Sequence, residues 1–315
     1  MPPLLQAVAD GIIRIDLQFQ GRPQVIAAYL LYDGQEAALV ETGPASTMEK
    51  LLEGVQAAGV PLEALRHLIV THIHLDHAGA SGALTQRLPW ARVYVHPVGA
   101  PHLADPSRLL ASAARIYGDL LKPLWGDVIP VPADRLVVVS DGERLRVAGH
   151  TLVAFDTPGH ARHHHAFLDE TTGLLFTGDI AGVRLLGIRY VRPPTPPPEL
   201  DLEAWSGSIA RLRALKASGL CLTHFDVHRG DIEWHWEDLE RRLWEWGHRI
   251  REMMEENLEE TEIVKRLRAH ADEELRAAGA EPEFYDVAAS YESVVAGYLR
   301  YWRKRAESLA HRTGS

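Results

Sequence analysis

The chain has 315 residues, 46% hydrophobic and 24% charged, with a formal charge of −10. This balance excludes a disordered, collagenous or disulfide-framework protein, and the single Cys221 excludes an internal disulfide. Net acidity argues against the broad positive field of a non-specific nucleic-acid binder, and the sequence offers no apolar run long enough for a membrane span.

The opening M-P-P-L-L-Q-A-V-A-D has no basic region and too short an apolar stretch for a signal peptide, so a cytoplasmic protein is expected. Residues 25–31 and 37–40 read as strands around the turn Asp33-Gly34. Residues 47–58 follow as a helix, with Met48, Leu51, Leu52 and Val55 on one face. A short buried strand is predicted at 67–70, a helix at 80–87, a strand at 92–95 and a helix at 109–124. Further strands are expected at 135–139, 145–147, 152–155, 166–168 and 174–176, the last two joined by the hairpin turn of residues 169–173. Residues 192–198 hold five prolines and cannot be helix or central strand. An amphipathic helix at 201–217 and a strand at 220–222 follow. From residue 231 onward only helices are predicted. Ile232, Trp236, Leu239, Leu243, Trp246, Ile250 and Met253 make a heptad seam. Packing of that seam on its own chain is expected, with a homodimer as the alternative. Length suggests about two domains, placed here at 1–230 and 231–315. Strands alternating with helices imply a layered α/β fold.

Histidine is the odd entry, at 17 residues, nine of them in three clusters: His72, His74, His77; His160, His163, His164, His165; and His224, His228. Thr71-His72-Ile73-His74-Leu75-Asp76-His77 follows a predicted strand end. Imidazole nitrogen and carboxylate oxygen suit a borderline divalent metal. Four ligand-type residues within six positions exceed what one tetrahedral ion with an open position uses, which suggests two metals. Three other predicted strand ends also deliver a ligand: Gly159-His160, Gly178-Asp179 and Thr223-His224. Ligands collect outside strand ends in α/β sheets.

These residues, in this order, resemble the metallo-β-lactamase superfamily over roughly residues 10–230. The resemblance implies an αββα sandwich of two mixed β-sheets flanked by helices, to which this chain adds a C-terminal all-helical extension. It also implies that His72, His74 and His160 hold one metal, that Asp76, His77 and His224 hold a second, and that Asp179 bridges them. Val40-Glu41-Thr42-Gly43 is similar to the family's Val-Asp-Thr-Gly, making Glu41 a partner for a ligand histidine. True lactamases with two zincs place Cys where Asp179 stands, so antibiotic hydrolysis is not expected.

The implied function is a hydrolase with two divalent ions, zinc first and iron or manganese as alternatives. Water activated between them would attack an ester, thioester, lactone or phosphodiester of a small-molecule substrate. Asp76 would hold a metal and shuttle the proton. Iron-dependent O₂ or sulfur redox chemistry and nucleic-acid processing are the competing readings. His164, Arg184 and Tyr190 are candidates either for contact with substrate or for support behind a metal ligand, with Tyr117, Arg189, His163, His165 and His228 weaker ones. The proline segment is either a rigid rim of the entrance or a spacer.

Overall fold

The computed structural model describes residues 4–313, so the first three residues of the opening stretch lie outside it. Thirteen strands form two sheets. The first has seven strands in chain order: β1 (Leu5–Ala9), β2 (Ile12–Asp16), β3 (Ala27–Tyr32), β4 (Ala37–Val40), β5 (Leu65–Ile69), β6 (Arg92–Val95) and β7 (Leu136–Val138). The second has six, β8 (Arg144–Val147), β9 (His150–Asp156), β10 (His165–Asp169), β11 (Leu174–Gly178), β12 (Gly219–Leu222) and β13 (Asp226–His228), again adjacent in chain order. Both sheets are mixed: the first is antiparallel through β4 and parallel from β4 to β7, and in the second β11–β12 is a parallel pair between antiparallel neighbours. Parallel neighbours end on the same side, so Glu41, His72, Asp179 and His224 all emerge at one end of the sandwich.

Alternation along the strands builds the layers. In β3, Tyr29 and Leu31 face the core shared with the second sheet, while Ala28 and Leu30 face the core under the helices. Both sets are buried, as expected of a strand covered on both faces. On the first sheet lie α1 (Met48–Ala57), α2 (Leu75–Ala78) and α3 (Ser81–Arg87). Next come α4 (Ala100–Ala104), α5 (Ser107–Tyr117) and α6 (Leu121–Trp125). The predicted helix at 109–124 is therefore two helices; Gly118, at φ +52°, breaks it. The hairpin β1–β2, absent from the sequence prediction, turns at Asp10-Gly11 with Gly11 at φ +69°.

On the second sheet, α7 (Leu202–Arg213) is capped by Asp201, whose side chain accepts from Ala204 N–H at 3.0 Å. Its Trp205 is fully buried and donates from Nε1 to Ile180 O at 2.8 Å. Gly159, at φ +137°, rests on that tryptophan, and a Cβ there would come within 2.4 Å of it. Truncating Trp205 to Ala would cost about 3–5 kcal/mol and loosen the turn that delivers His160.

The helical region comprises α8 (Ile232–Glu255), α9 (Glu260–Ala277), α10 (Pro282–Asp286) and α11 (Tyr291–Thr313). The heptad seam packs within the chain: Trp236, Leu239, Leu243, Trp246 and Ile250 are buried in the same hydrophobic core as the second sheet. Among the described residues no helix is long and apolar enough to cross a membrane.

Candidate metal centre

Seven side chains meet where the two sheets end. His72, His74, His160 and Asp179 form one group, and Asp76, His77 and His224 another. In the first, His72 Nε2 and His160 Nε2 each lie 2.9 Å from His74 Nδ1. Asp179 stands between the groups. Its Oδ2 is 3.2 Å from His160 Nε2, and its Oδ1 is 3.1 Å from His77 Nε2 and 3.4 Å from His224 Nε2. Asp76 Oδ2 closes the second group at 3.3 Å from His224 Nε2 and 3.6 Å from His77 Nε2.

The outward nitrogens decide what the inward ones can do. His160 Nδ1 donates to Pro194 O and His224 Nδ1 to Val25 O, both at 2.8 Å. His77 Nδ1 donates to Glu41 Oε1 at 2.9 Å. His72 Nδ1 donates to Thr71 Oγ1 at 3.1 Å, and that hydroxyl in turn donates to Glu41 Oε1 at 2.6 Å. A neutral imidazole carries one N–H, so a proton fixed on Nδ1 leaves a lone pair on Nε2. Four rings are thereby held with lone pairs facing one point, the outer hydrogen-bonding arrangement that metal-bound histidines use.

Three buried atoms at this point have no hydrogen-bond partner: His77 Nε2, His224 Nε2 and Asp179 Oδ1. Orphaned polar atoms at the meeting point of a ligand set mark the space of a missing positive charge. The titration behaviour agrees. Burial works against the charged forms of His72 and His74, leaving His72 well below its ordinary value and His74 at about 4. Burial pushes Asp76 up, but His77 and His224 outweigh it and bring it to about 2. Burial pushes His77 down, and Asp179, Asp76 and Glu41 outweigh it, raising it well above the imidazole range. The donor set fits divalent metal ions.

Glu41 holds the centre together from behind. It accepts from Thr71 Oγ1, His77 Nδ1 and Thr223 Oγ1, tying β4, β5 and β12 together at one carboxylate. His164, expected either to reach substrate or to support a ligand, takes the second role beside Asp179: its Nε2 accepts from Asp179 N–H at 3.2 Å and its Nδ1 pairs with Thr157 Oγ1 at 2.7 Å. Gly178, at φ +50°, leaves room for this; a Cβ there would fall 2.6 Å from His164 Nε2.

Two expected pocket residues lie elsewhere. Arg184 pairs with Asp231 at 2.6 Å and donates to Ile188 O, and Tyr190 lies buried under Arg242 and against Tyr285. The chain after Asp179 makes a short 3-10 turn and a bridge between Val183 and Arg192, which carries 184–192 onto the C-terminal helices. Arg189 stacks on Trp234, and His228 is bonded to the carbonyls of Arg184 and Phe225.

His74, Asp76 and Asp179 form the floor of a cavity of about 850 Å³. Tyr117 and His163 line it, as do residues 194–198, so the proline segment is a rim of the cavity as well as a connector. The opposite wall comes from residues 286–290, which join α10 to α11, and from residues 292–294 at the start of α11, and it is small and apolar at Val287, Ala288 and Ala289. These carry no chemical signature, and nothing in the sequence points to them.

Two further groups have metal-type composition. In the first, His96 Nε2 lies 2.6 Å from Asp156 Oδ1, and His165 Nε2 lies 3.5 Å from the same oxygen. Val98 N–H, however, donates to His96 Nδ1 at 3.0 Å, so Nε2 carries the proton and has no lone pair to offer. In the second, Glu245, His270 and Glu274 are partly exposed and the carboxylates are engaged by Arg241, Arg242 and Arg249.

The family model of the metallo-beta-lactamase superfamily matches residues 21–224. The chain belongs to this superfamily. Metallo-beta-lactamase fold-containing protein ST1585 of Sulfurisphaera tokodaii is 27% identical over 205 residues, 64% of this chain and 73% of that protein. Its crystal structure superposes with a TM-score of 0.58 at 26% identity, over 70% of this chain and 80% of the other. Thioesterase pkgB of Emericella nidulans is 27% identical over 227 residues, 69% of this chain but 52% of its own length. The metallo-beta-lactamase family protein TTHA1429 of Thermus thermophilus shares the fold over 95% of both chains, with a TM-score of 0.69 at 21% identity. That coverage includes the helical region, so the αββα sandwich with C-terminal helices expected from the sequence is a shared architecture. Membership of the superfamily makes this chain a metallo-hydrolase.

Proposed function

We propose that the chain is a dinuclear zinc hydrolase acting on an ester or thioester held in the cavity above the metal centre. The observation that carries this reading is the pair of ligand groups meeting at Asp179, with lone pairs fixed inward and three buried atoms left unpartnered. His72, His74 and His160 would hold one ion and Asp76, His77 and His224 the other, with one Asp179 oxygen turned toward each group. When bound, the ions supply a water acidic enough to attack near neutrality and an electrophile for the carbonyl oxygen.

The remaining work falls to the chain. Glu41, through His77 and Thr71, fixes ring orientation. His164, through the Asp179 amide, fixes the bridge. Asp76, whose side chain is 19% exposed on the cavity floor, takes the proton released by attack and returns it to the leaving group. Residues 194–198 and 286–294 exclude water from the acyl portion.

An apolar-walled cavity suits a carbonyl substrate with a hydrophobic body better than a polynucleotide. The name of the relative thioesterase pkgB points the same way. We read residues 1–230 as the catalytic unit and 231–315 as a helical domain that completes its wall. Metal analysis of protein purified without chelators, followed by a panel of thioesters, lactones and phosphodiesters, tests the reading. Two zinc ions with thioester or ester turnover is the expected result. Iron at full occupancy with O₂ uptake overturns it.

A further inference from the structure

The charges around the cavity are not balanced. Its three acidic residues outside the metal centre are all matched by cations of the chain. Glu199 pairs with Arg162 at 2.9 Å, Asp286 with Arg192 at 2.7 Å and with Arg268 at 2.6 Å, and Glu292 with Arg268 at 3.0 Å. Two arginines on the opposite side, Arg108 and Arg115, line the same cavity. Neither makes a salt bridge or side-chain hydrogen bond among the described residues, although arginines elsewhere in the chain repeatedly pair with carboxylates. They are seven positions apart on α5, two helical turns, and so share one face about 10 Å long. Leu109, Ala113 and Ile116 of the same helix add apolar surface to the lining.

From this we infer the substrate class of the site: an amphiphilic anion. Its apolar body lies along the α5 face against Val287 and Ala288, its scissile carbonyl sits over His74, Asp76 and Asp179, and a phosphate or carboxylate at the far end is held by Arg108 and Arg115. The inference rests on the hydrolase reading for the carbonyl but not for the anion. Guanidinium groups match phosphate and carboxylate oxygens in paired hydrogen bonds. Unpaired arginines at the mouth of an apolar cavity also raise the local concentration of such anions and speed their entry. A neutral ester of the same length would use the apolar wall alone.

The test separates the anion site from the chemistry. Calorimetry on the zinc-loaded protein, at low salt, compares octyl phosphate, octanol and inorganic phosphate. Octyl phosphate is expected to bind at least tenfold tighter than either of the others. The double variant R108Q/R115Q should lose about tenfold for octyl phosphate and nothing for octanol, while R108K/R115K retains most of the affinity. Both positions are exposed, so the fold should survive, and an unchanged melting temperature verifies it. If octyl phosphate binds no tighter than octanol, or binds R108Q/R115Q as well as the unaltered protein, the head group sits on the metals or nowhere and the inference falls. If the calorimetric pattern holds but no ester or thioester is turned over, the anion site stands and the hydrolase reading fails. Among substrates that are turned over, R108Q/R115Q should raise KM for anionic esters with kcat unchanged.

Discussion

Two histidine–carboxylate groups lie near the same end of this sandwich, and they differ in which way their imidazole lone pairs face. In the metal centre, His72, His77, His160 and His224 give their Nδ1 protons to oxygen acceptors and turn Nε2 lone pairs inward. In the trio of His96, Asp156 and His165, the Val98 amide occupies His96 Nδ1 and forces the proton onto the nitrogen that faces Asp156. Spacing and residue type are alike; the partner of the far nitrogen differs. A cluster of ligand-type residues is therefore not yet a site, and the second layer of hydrogen bonds decides.

The largest expected break in this comparison comes from Asp179→Ala. It should lower the metal content from two ions to one or none and reduce turnover by roughly a thousandfold, about 4 kcal/mol of transition-state stabilisation. Elemental analysis alongside kinetics reads both, and two retained ions would remove Asp179 from the bridging role. Stripping the metals with a chelator should cost a comparable amount of stability. With each of two ions present at about thirty times its Kd, the combined loss is about 4 kcal/mol, read as a melting temperature lower by roughly 10 °C.

The trio responds to acid instead. Burial lowers His165 to about 4, against an ordinary value near 6.5. The unfolded chain binds that proton first, so stability drops as pH falls from 6.5 toward 4 and the loss is complete below the folded value. Replacing His165 with Leu removes this contribution. The variant should lose about 3 kcal/mol less than the unaltered protein between pH 7 and pH 4, by denaturant titration. Its metal content should be unchanged. An equal loss of stability in both proteins would count against the buried, neutral state of His165.

Smaller effects refine the second layer. Glu41→Gln should weaken metal binding by about 10- to 100-fold, as loss of an outer carboxylate partner does. The matching change in the other group, His96→Gln, should leave metal affinity within about twofold, well under 1 kcal/mol. Competition with a chromophoric chelator distinguishes the two, and equal effects would erase the distinction drawn between the groups.

Much of the metal centre was legible because the chemistry is compressed into short motifs at strand ends. Thr71 to His77, Gly159-His160, Gly178-Asp179 and Thr223-His224 each pair a ligand with a turn that aims it, and such turns can be read locally. Glu41 could be placed for the same reason. Arg184 and Tyr190 could not be placed, because the direction of the chain after Asp179 is set by packing against Tyr285, Asp231 and Arg242, far along the sequence. The cavity wall at Val287, Ala288 and Ala289 was invisible because small apolar residues report nothing about what they face. The break at Gly118 was missed since the flanking residues keep helical spacing on both sides.

The ligands divide between the sheets: four follow β5, and His160, Asp179 and His224 follow strands of the other sheet. During synthesis, then, a ribosome that has released only the first half of the chain has made two histidines and a His–Asp pair with nothing opposite them. The full set of candidate ligands is complete only with His224, some 150 residues after His72. On the dinuclear reading, the two halves of the centre face one another only when both sheets are present.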